Sequence, residues 1–176
     1  TNRLEALKGI TGFLTHRNED YVVISDCDGI AHIDISSVIA YHEEKGADIT
    51  MVYHEEAGPV DSGYFGTLTP AEDGRITGLK INPKLKAKSK SNVYINIMVL
   101  NREFLINIIQ EAVTRGLSSF GRDILSKNVD TLKIYGYNFK GYYAGVDSLQ
   151  KYYQHSMELL QKDVRDELFG ARDIYT

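Results

Sequence analysis

Apolar positions recur along this chain with two spacings, and the alternation between them predicts its elements. Leu4, Leu7, Ile10, Phe13 and Leu14 follow a helical period, so residues 2–16 are expected to form an amphipathic helix. Tyr21-Val22-Val23-Ile24 then reads as a buried strand over residues 21–25. A second helix opens at Asp34, whose carboxylate can accept from the free N–H groups of Ser36 and Ser37. Ile33 and Val38 have the spacing of a hydrophobic staple around that cap. The helix buries Val38, Ile39 and Tyr41 and stops at Gly46. Residues 48–53 form the next strand, and helix, strand, helix, strand in succession implies parallel strands joined by a crossover.

The middle of the chain changes character. Residues 64–69 and 75–81 flank Pro70-Ala71-Glu72-Asp73-Gly74, the pattern of a β-hairpin. Residues 84–90 alternate lysine with other residues and read as a loop, and residues 93–100 are an apolar strand. Asn101 is placed to cap a helix that presents Phe104, Leu105, Ile108, Ile109, Ala112 and Val113 and ends at Gly116. A short helix at 120–127 and strands at 131–137 and 142–143 follow. Asp147 and Gln150 match a capping box, after which Leu149, Tyr152, Tyr153, Met157 and Leu160 form an apolar stripe expected to be buried. No internal repeat or low-complexity linker interrupts the pattern.

Composition narrows the classes. The 176 residues suffice for one domain with a core, and 43% hydrophobic with 25% charged residues is ordinary for a globular protein. A formal charge of −4 lacks the basic footprint of a nucleic-acid binder. The lone Cys27 excludes an internal disulfide framework and fits a reducing compartment. No apolar run approaches the ~18 residues of a membrane span, and no signal peptide precedes the first helix. The expectation is a soluble cytoplasmic chain with no nucleic-acid or membrane partner. It begins in a helix without a preceding strand and ends without a terminating element, as a piece of a larger protein would.

Candidate chemistry is concentrated where the first strand ends, at Ser25-Asp26-Cys27-Asp28-Gly29. Asp26 and Asp28 share a side of the strand if it stays extended, and the carboxyl ends of strands in α/β sheets are where ligands bind. Paired carboxylates need hydrogen bonds or a hard cation such as Mg²⁺. Three readings stand. One is a phosphatase loop resembling the haloacid-dehalogenase type, with Asp26 as nucleophile and Asp28 as acid/base, although that family's later acidic pair is not found. The others are a metal-binding carboxylate of a nucleotidyltransferase and a structural turn. The five histidines lie on separate elements without metal-ligand spacing, and neither a Walker loop nor Gly-x-Gly-x-x-Gly occurs. Ser118 and Ser119 lack a nearby histidine, the lysines at 84, 86, 88 and 90 fit a solvated loop, and the twelve tyrosines fit amphipathic core edges.

Taken together, these segments resemble the glucose-1-phosphate adenylyltransferases, the ADP-glucose pyrophosphorylases of bacterial glycogen synthesis. The resemblance runs through residues 21–34, Tyr-His-Glu-Glu-Lys-Gly-Ala-Asp-Ile-Thr within residues 41–53, Phe120-Gly121-Arg122-Asp123-Ile124, and Gly141-Tyr142-Tyr143 with the following helix. Ser25-Asp26-Cys27-Asp28 and Tyr142-Tyr143-Ala144-Gly145-Val146-Asp147-Ser148-Leu149 are more similar still to the regulatory-type glycogen-biosynthesis subunit. The resemblance implies an α/β fold with a Rossmann-like, mixed, mainly parallel sheet flanked by helices, of the nucleotide-diphospho-sugar transferase type. Residues 1–176 would be a partial nucleotidyltransferase domain, with the family's N-terminal strand and glycine-rich loop and its C-terminal β-helix outside the chain.

The resemblance also implies roles at particular positions. Asp28 falls where the family keeps its first metal-binding aspartate, making it a vestigial metal candidate. Gly145 stands where catalytic members have their second aspartate, within Gly-Tyr-Trp-x-Asp-Val-Gly. Asn82, in Ile81-Asn82-Pro83, stands where they have the sugar-phosphate lysine of Glu-Lys-Pro. Active members use Mg²⁺; for this chain the departures imply no cofactor and no catalytic residue. The expected role is a non-catalytic, regulatory subunit paired with a catalytic adenylyltransferase subunit in a hetero- or homo-oligomer. The alternative is a sugar-1-phosphate nucleotidyltransferase that is active at full length.

Overall fold

In the computed structural model, residues 3–57, 66–81 and 90–170 are described. Two short helices, α1 (Arg3–Gly9) and α2 (Thr11–Thr15), lead into β1 (Tyr21–Ser25) and the three-residue β2 (Gly29–Ala31). Then come α3 (Ile35–Lys45), β3 (Ile49–Ala57), the hairpin β4 (Gly66–Pro70) and β5 (Ile76–Ile81), the long β6 (Lys90–Asn101), and α4 (Arg102–Thr114). A π-helical segment (Phe120–Leu125) and a 3₁₀ turn (Ser126–Asn128) precede β7 (Ile134–Asn138), β8 (Tyr143–Gly145), α5 (Leu149–Glu158) and α6 (Lys162–Phe169).

Six strands form one mixed sheet, in the order β5-β4-β6-β3-β7, with β1 also paired to β6. β3 flanks β6 along both of its halves, so β1 and β4 share the opposite side: β4 pairs through Thr67↔Val93 and β1 through Tyr21↔Asn101 to Ser25↔Ile97. Asn96 marks the gap between them, with φ of 61°, a region Asn enters more readily than most side chains. β1, β3, β4 and β7 run one way and β5 and β6 the other, while β3·β7 is the parallel ladder. β1 and β3 are thus parallel, as a crossover requires, but β6 is inserted between them; nothing in the two strands' own residues reports a third strand from later in the chain.

Period-two alternation sorts the core onto two faces. Ile49, Met51, Tyr94, Met98 and Leu100 join Leu4, Leu14, Leu105 and Ile109, so α1, α2 and α4 cover one face. Val52, Ile95 and Val99 meet Val38 of α3 on the other, with Ile33 and Ile39 packed alongside. The α3 entry forms as expected: Ser36 N–H donates to the Asp34 carboxylate (3.2 Å), the Ser37 hydroxyl donates to its other oxygen (2.8 Å), and Gly46 closes the helix in the left-handed region.

Several expectations change. The helix over residues 2–16 is two helices broken at Ile10, between Gly9 and Gly12, where glycine's backbone freedom opposes helix and the Thr11 hydroxyl bonds back to Leu7 and Lys8 carbonyls. Asn101 sits at the α4 N-cap but donates instead to the Ala47 carbonyl (3.1 Å), tying two strand ends together. Ser148, not Asp147, caps α5 by accepting from Lys151 N–H (3.2 Å), and Asp147 forms an ion pair with Lys151 (2.7 Å). The stripe on α5 is exposed rather than buried: Leu149 is 83% exposed and Tyr152, Tyr153 and Leu160 exceed 60%. No described helix is long and apolar enough to cross a membrane.

Candidate functional site

β1 delivers Ser25 and Asp26 to its carboxyl end, where the chain leaves the sheet. Asp26 N–H donates to the Asn96 carbonyl (3.2 Å), which fixes the turn, and Arg3 of α1 grips both carboxylate oxygens at 2.7 and 2.6 Å. The guanidinium lies beside the fully buried Tyr94, whose pKa is driven up by burial, then lowered in part by Arg3 and raised again by Asp26. A carboxylate held on both oxygens is poorly disposed to attack phosphorus, so the geometry favours the structural reading of Asp26 over the phosphatase one.

Asp28 is exposed, and its carbonyl accepts from Val146 N–H (2.7 Å). β2 pairs antiparallel with β8, setting Gly29 opposite Gly145 and Ile30 opposite Ala144. Asp28 and Gly145, far apart in sequence, therefore meet at the end of one two-stranded ladder. No periodicity announces a three-residue strand such as β2, so the ladder that unites them is invisible to pattern reading.

Tyr143 fills the space on this ladder. A Cβ at Gly29 would stand 3.0 Å from Tyr143 Cε2, and one at Gly145 would stand 3.2 Å from the phenolic oxygen. Burial raises the Tyr143 pKa first, followed by the carboxylates of Asp28, Glu56, Asp147 and Asp26, so the phenol stays protonated. The His54 ring packs at 6.2 Å from Tyr143, and its Nδ1 lies 3.0 Å from the Phe139 carbonyl. Asn138 donates to Glu55 (2.7 Å), and a cavity of about 270 Å³ opens among His54, Glu55, Asn138, Phe139 and Lys140 at the carboxyl ends of the parallel pair β3·β7. In the sequence Tyr143 figured only as part of a matched segment and this cavity not at all; the role of each depends on contacts between distant segments.

Below the ladder the C-terminal helices fix Tyr142. Its hydroxyl donates to Glu158 (2.8 Å), His155 Nδ1 lies 2.8 Å from the same carboxylate oxygen, and Tyr142 N–H donates to Glu167 (2.6 Å). Asn82 lies outside the described residues, beyond Ile81 at the end of β5.

Of the three aspartates near this ladder, two are already held by cationic side chains. Mg²⁺ demands near-octahedral oxygen ligation with carboxylates and phosphates cooperating. Asp28 lies against Val146, one residue from Gly145, while Asp26 is bound to Arg3 and Asp147 to Lys151. Among the described residues, no three His, Cys, Asp or Glu side chains group closely enough to hold a metal.

No family model matches the chain. Curated relatives do: glucose-1-phosphate adenylyltransferase of Clostridium kluyveri is 30% identical over 156 residues, covering 86% of this chain and 39% of the relative. The Bacillus subtilis enzyme of that name is 31% identical over 164 residues, covering 91% and 42%, and that of Shewanella sp. MR-4 is 27% identical over 173 residues, covering 90% and 41%. Among solved structures, HddC from Yersinia pseudotuberculosis superposes with a TM-score of 0.68 at 15% identity, covering 90% of this chain and 62% of that one, which shows a shared fold. The chain spans about two-fifths of the length of the curated relatives it matches. Across about nine-tenths of its own length it is a relative of the glucose-1-phosphate adenylyltransferases.

Proposed function

We propose that this chain is part of a regulatory-type, non-catalytic relative of glucose-1-phosphate adenylyltransferase, acting in cytoplasmic glycogen biosynthesis by pairing with a catalytic adenylyltransferase subunit and tuning it. The observation that carries this reading is Gly145 opposite Gly29, the residue after Asp28, with the Tyr143 side chain against the space that a side chain at either glycine would take. Nucleotidyl transfer depends on positioning and on neutralising phosphate charge. A single carboxylate competes weakly with water for Mg²⁺, and an asparagine at position 82 carries no positive charge to neutralise a sugar phosphate.

The test uses the intact protein. Alone, with ATP, glucose 1-phosphate and Mg²⁺, it is expected to release no diphosphate above background. Mixed with its catalytic subunit, it is expected to change the rate or the effector response of ADP-glucose formation. Sustained turnover by the isolated protein would establish the alternative, an active sugar-1-phosphate nucleotidyltransferase, which the names of the relatives favour. No effect on the catalytic subunit would remove the regulatory role.

A further inference from the structure

Arg3 and Asp26 meet at the carboxyl end of β1, and each is held in place by something other than their ion pair. Arg3 stands on α1, which is fastened to the core by Leu4 and Leu7, 0% and 5% exposed. Asp26 sits on a turn fixed through its backbone: its N–H donates to the Asn96 carbonyl (3.2 Å), and its carbonyl accepts from the Ser25 hydroxyl (2.9 Å). Asn96 itself lies at a bulge. The pairs Met51↔Met98 and Tyr53↔Tyr94 leave Val52 alone opposite residues 95–97, and Asn96 takes its φ of 61° at their centre. The ion pair therefore joins two supports that the backbone has already placed. Nη2 of Arg3 donates to both Asp26 oxygens, at 2.7 and 2.6 Å. The Arg3 side chain is 18% exposed and that of Asp26 39%, with fully buried Tyr94 beside the guanidinium, so the carboxylate is the outer of the two groups.

We infer that Asp26 is an internal substitute for a ligand's oxyanion: its carboxylate takes the donors that Arg3 would otherwise present to a phosphoryl group. On the non-catalytic reading given above, on which this rests, Asp26 is the residue that keeps phosphate compounds off the site. Two N–H groups that meet two carboxylate oxygens can equally meet two oxygens of a phosphate. The tethered carboxylate prevails because it is already present at high effective concentration, whereas a free anion loses translational freedom on binding. Asp28 and Glu56, which act with Asp26 on the Tyr143 phenol, are carboxylates as well, so an anion that replaced Asp26 would bind only modestly. Removing the Asp26 side chain leaves the buried α1 leucines and the Asn96 carbonyl bond untouched, so Arg3 loses its partner without losing its position.

Calorimetric titration of the intact protein with inorganic phosphate, and separately with methyl phosphate, tests this. Asp26→Ala is expected to bind at least one of them about tenfold more tightly than the wild type does. Arg3→Met in that background is expected to remove the gain, with unchanged far-ultraviolet circular dichroism confirming that both proteins fold. Asp26→Asn, which keeps the shape and loses the charge, is expected to show the same gain and serves if the alanine disturbs the turn. Stronger binding of methyl phosphate than of the free ion would identify the excluded ligand as a phosphate ester, and the reverse as inorganic phosphate. Equal affinity in the wild type and both Asp26 variants, or a gain that survives Arg3→Met, would overturn the inference. Diphosphate release by the wild type, measured apart, would remove the non-catalytic reading without altering this comparison.

Discussion

A Cβ added at Gly145 would stand 3.2 Å from the Tyr143 hydroxyl oxygen but 3.6 Å from the ring carbons behind it. Gly145→Asp must therefore displace the hydroxyl, and it also adds a carboxylate near Asp28 and Asp147. The expected cost is ~1–2 kcal/mol in urea unfolding. Tyr143→Phe removes the nearest atom, so in a double-mutant cycle part of that cost should vanish; strict additivity would show that Tyr143 does not hold the space. A second residue-scale effect lies at His42. It is buried against Thr50 (2.8 Å), and burial lowers its pKa below 6.5, while Asn101, Asp48 and Glu43 act in the opposite direction. The unfolded chain then binds a proton that the folded one refuses. Stability is full above pH 6.5 and falls as pH drops through the depressed folded value. Urea midpoints between pH 7.5 and about pH 5 should decline for the wild type and be flatter for His42→Asn. Carboxylates with lowered values, Asp123 (about 2) and Glu158, act at lower pH.

At the scale of elements, the signals that proved reliable were those in which adjacent residues determine the outcome. Asp34, Gly46 and the hairpin around Gly74 needed only neighbours, and each stands as its residues imply. Asp34→Ala is accordingly expected to cost ~1 kcal/mol, read as a lower urea midpoint, while Asn101→Ala, whose side chain ties to Ala47 instead of capping, should leave α4 intact and loosen the strand ends. Legibility failed where the partner was remote. Asn101 and Asp147 have the right chemistry to cap, but Ala47 and Lys151 claim them. The β2·β8 ladder, the Arg3 clamp on Asp26 and the insertion of β6 between β1 and β3 each join segments that share no local pattern. The positions at the site fared similarly: Asp28 stood out as half of a carboxylate pair and Gly145 through a resemblance, whereas the packing of Tyr143 against Gly29 and Gly145 was visible only after folding.

For the whole molecule, the apolar stripe of α5 separates amphipathicity from burial. Leu149, Tyr152, Tyr153, Met157 and Leu160 keep helical spacing, yet none of the helix's residues is buried. The helix is held from its other side, by the Ser148 cap and by the Tyr142–His155–Glu158 contacts. A periodic apolar face specifies which side of a helix avoids water; it does not say what covers it. Two substitutions distinguish this arrangement from a docked helix. Leu149→Lys removes a side chain that is already 83% exposed and should change stability by no more than about 0.5 kcal/mol, whereas Leu105→Ala, on the buried face of α4, should cost ~2–5 kcal/mol. Both are read from urea midpoints at equal denaturant sensitivity. A large loss for Leu149→Lys under those conditions would mean that the α5 stripe packs against this same chain, as its periodicity alone predicts.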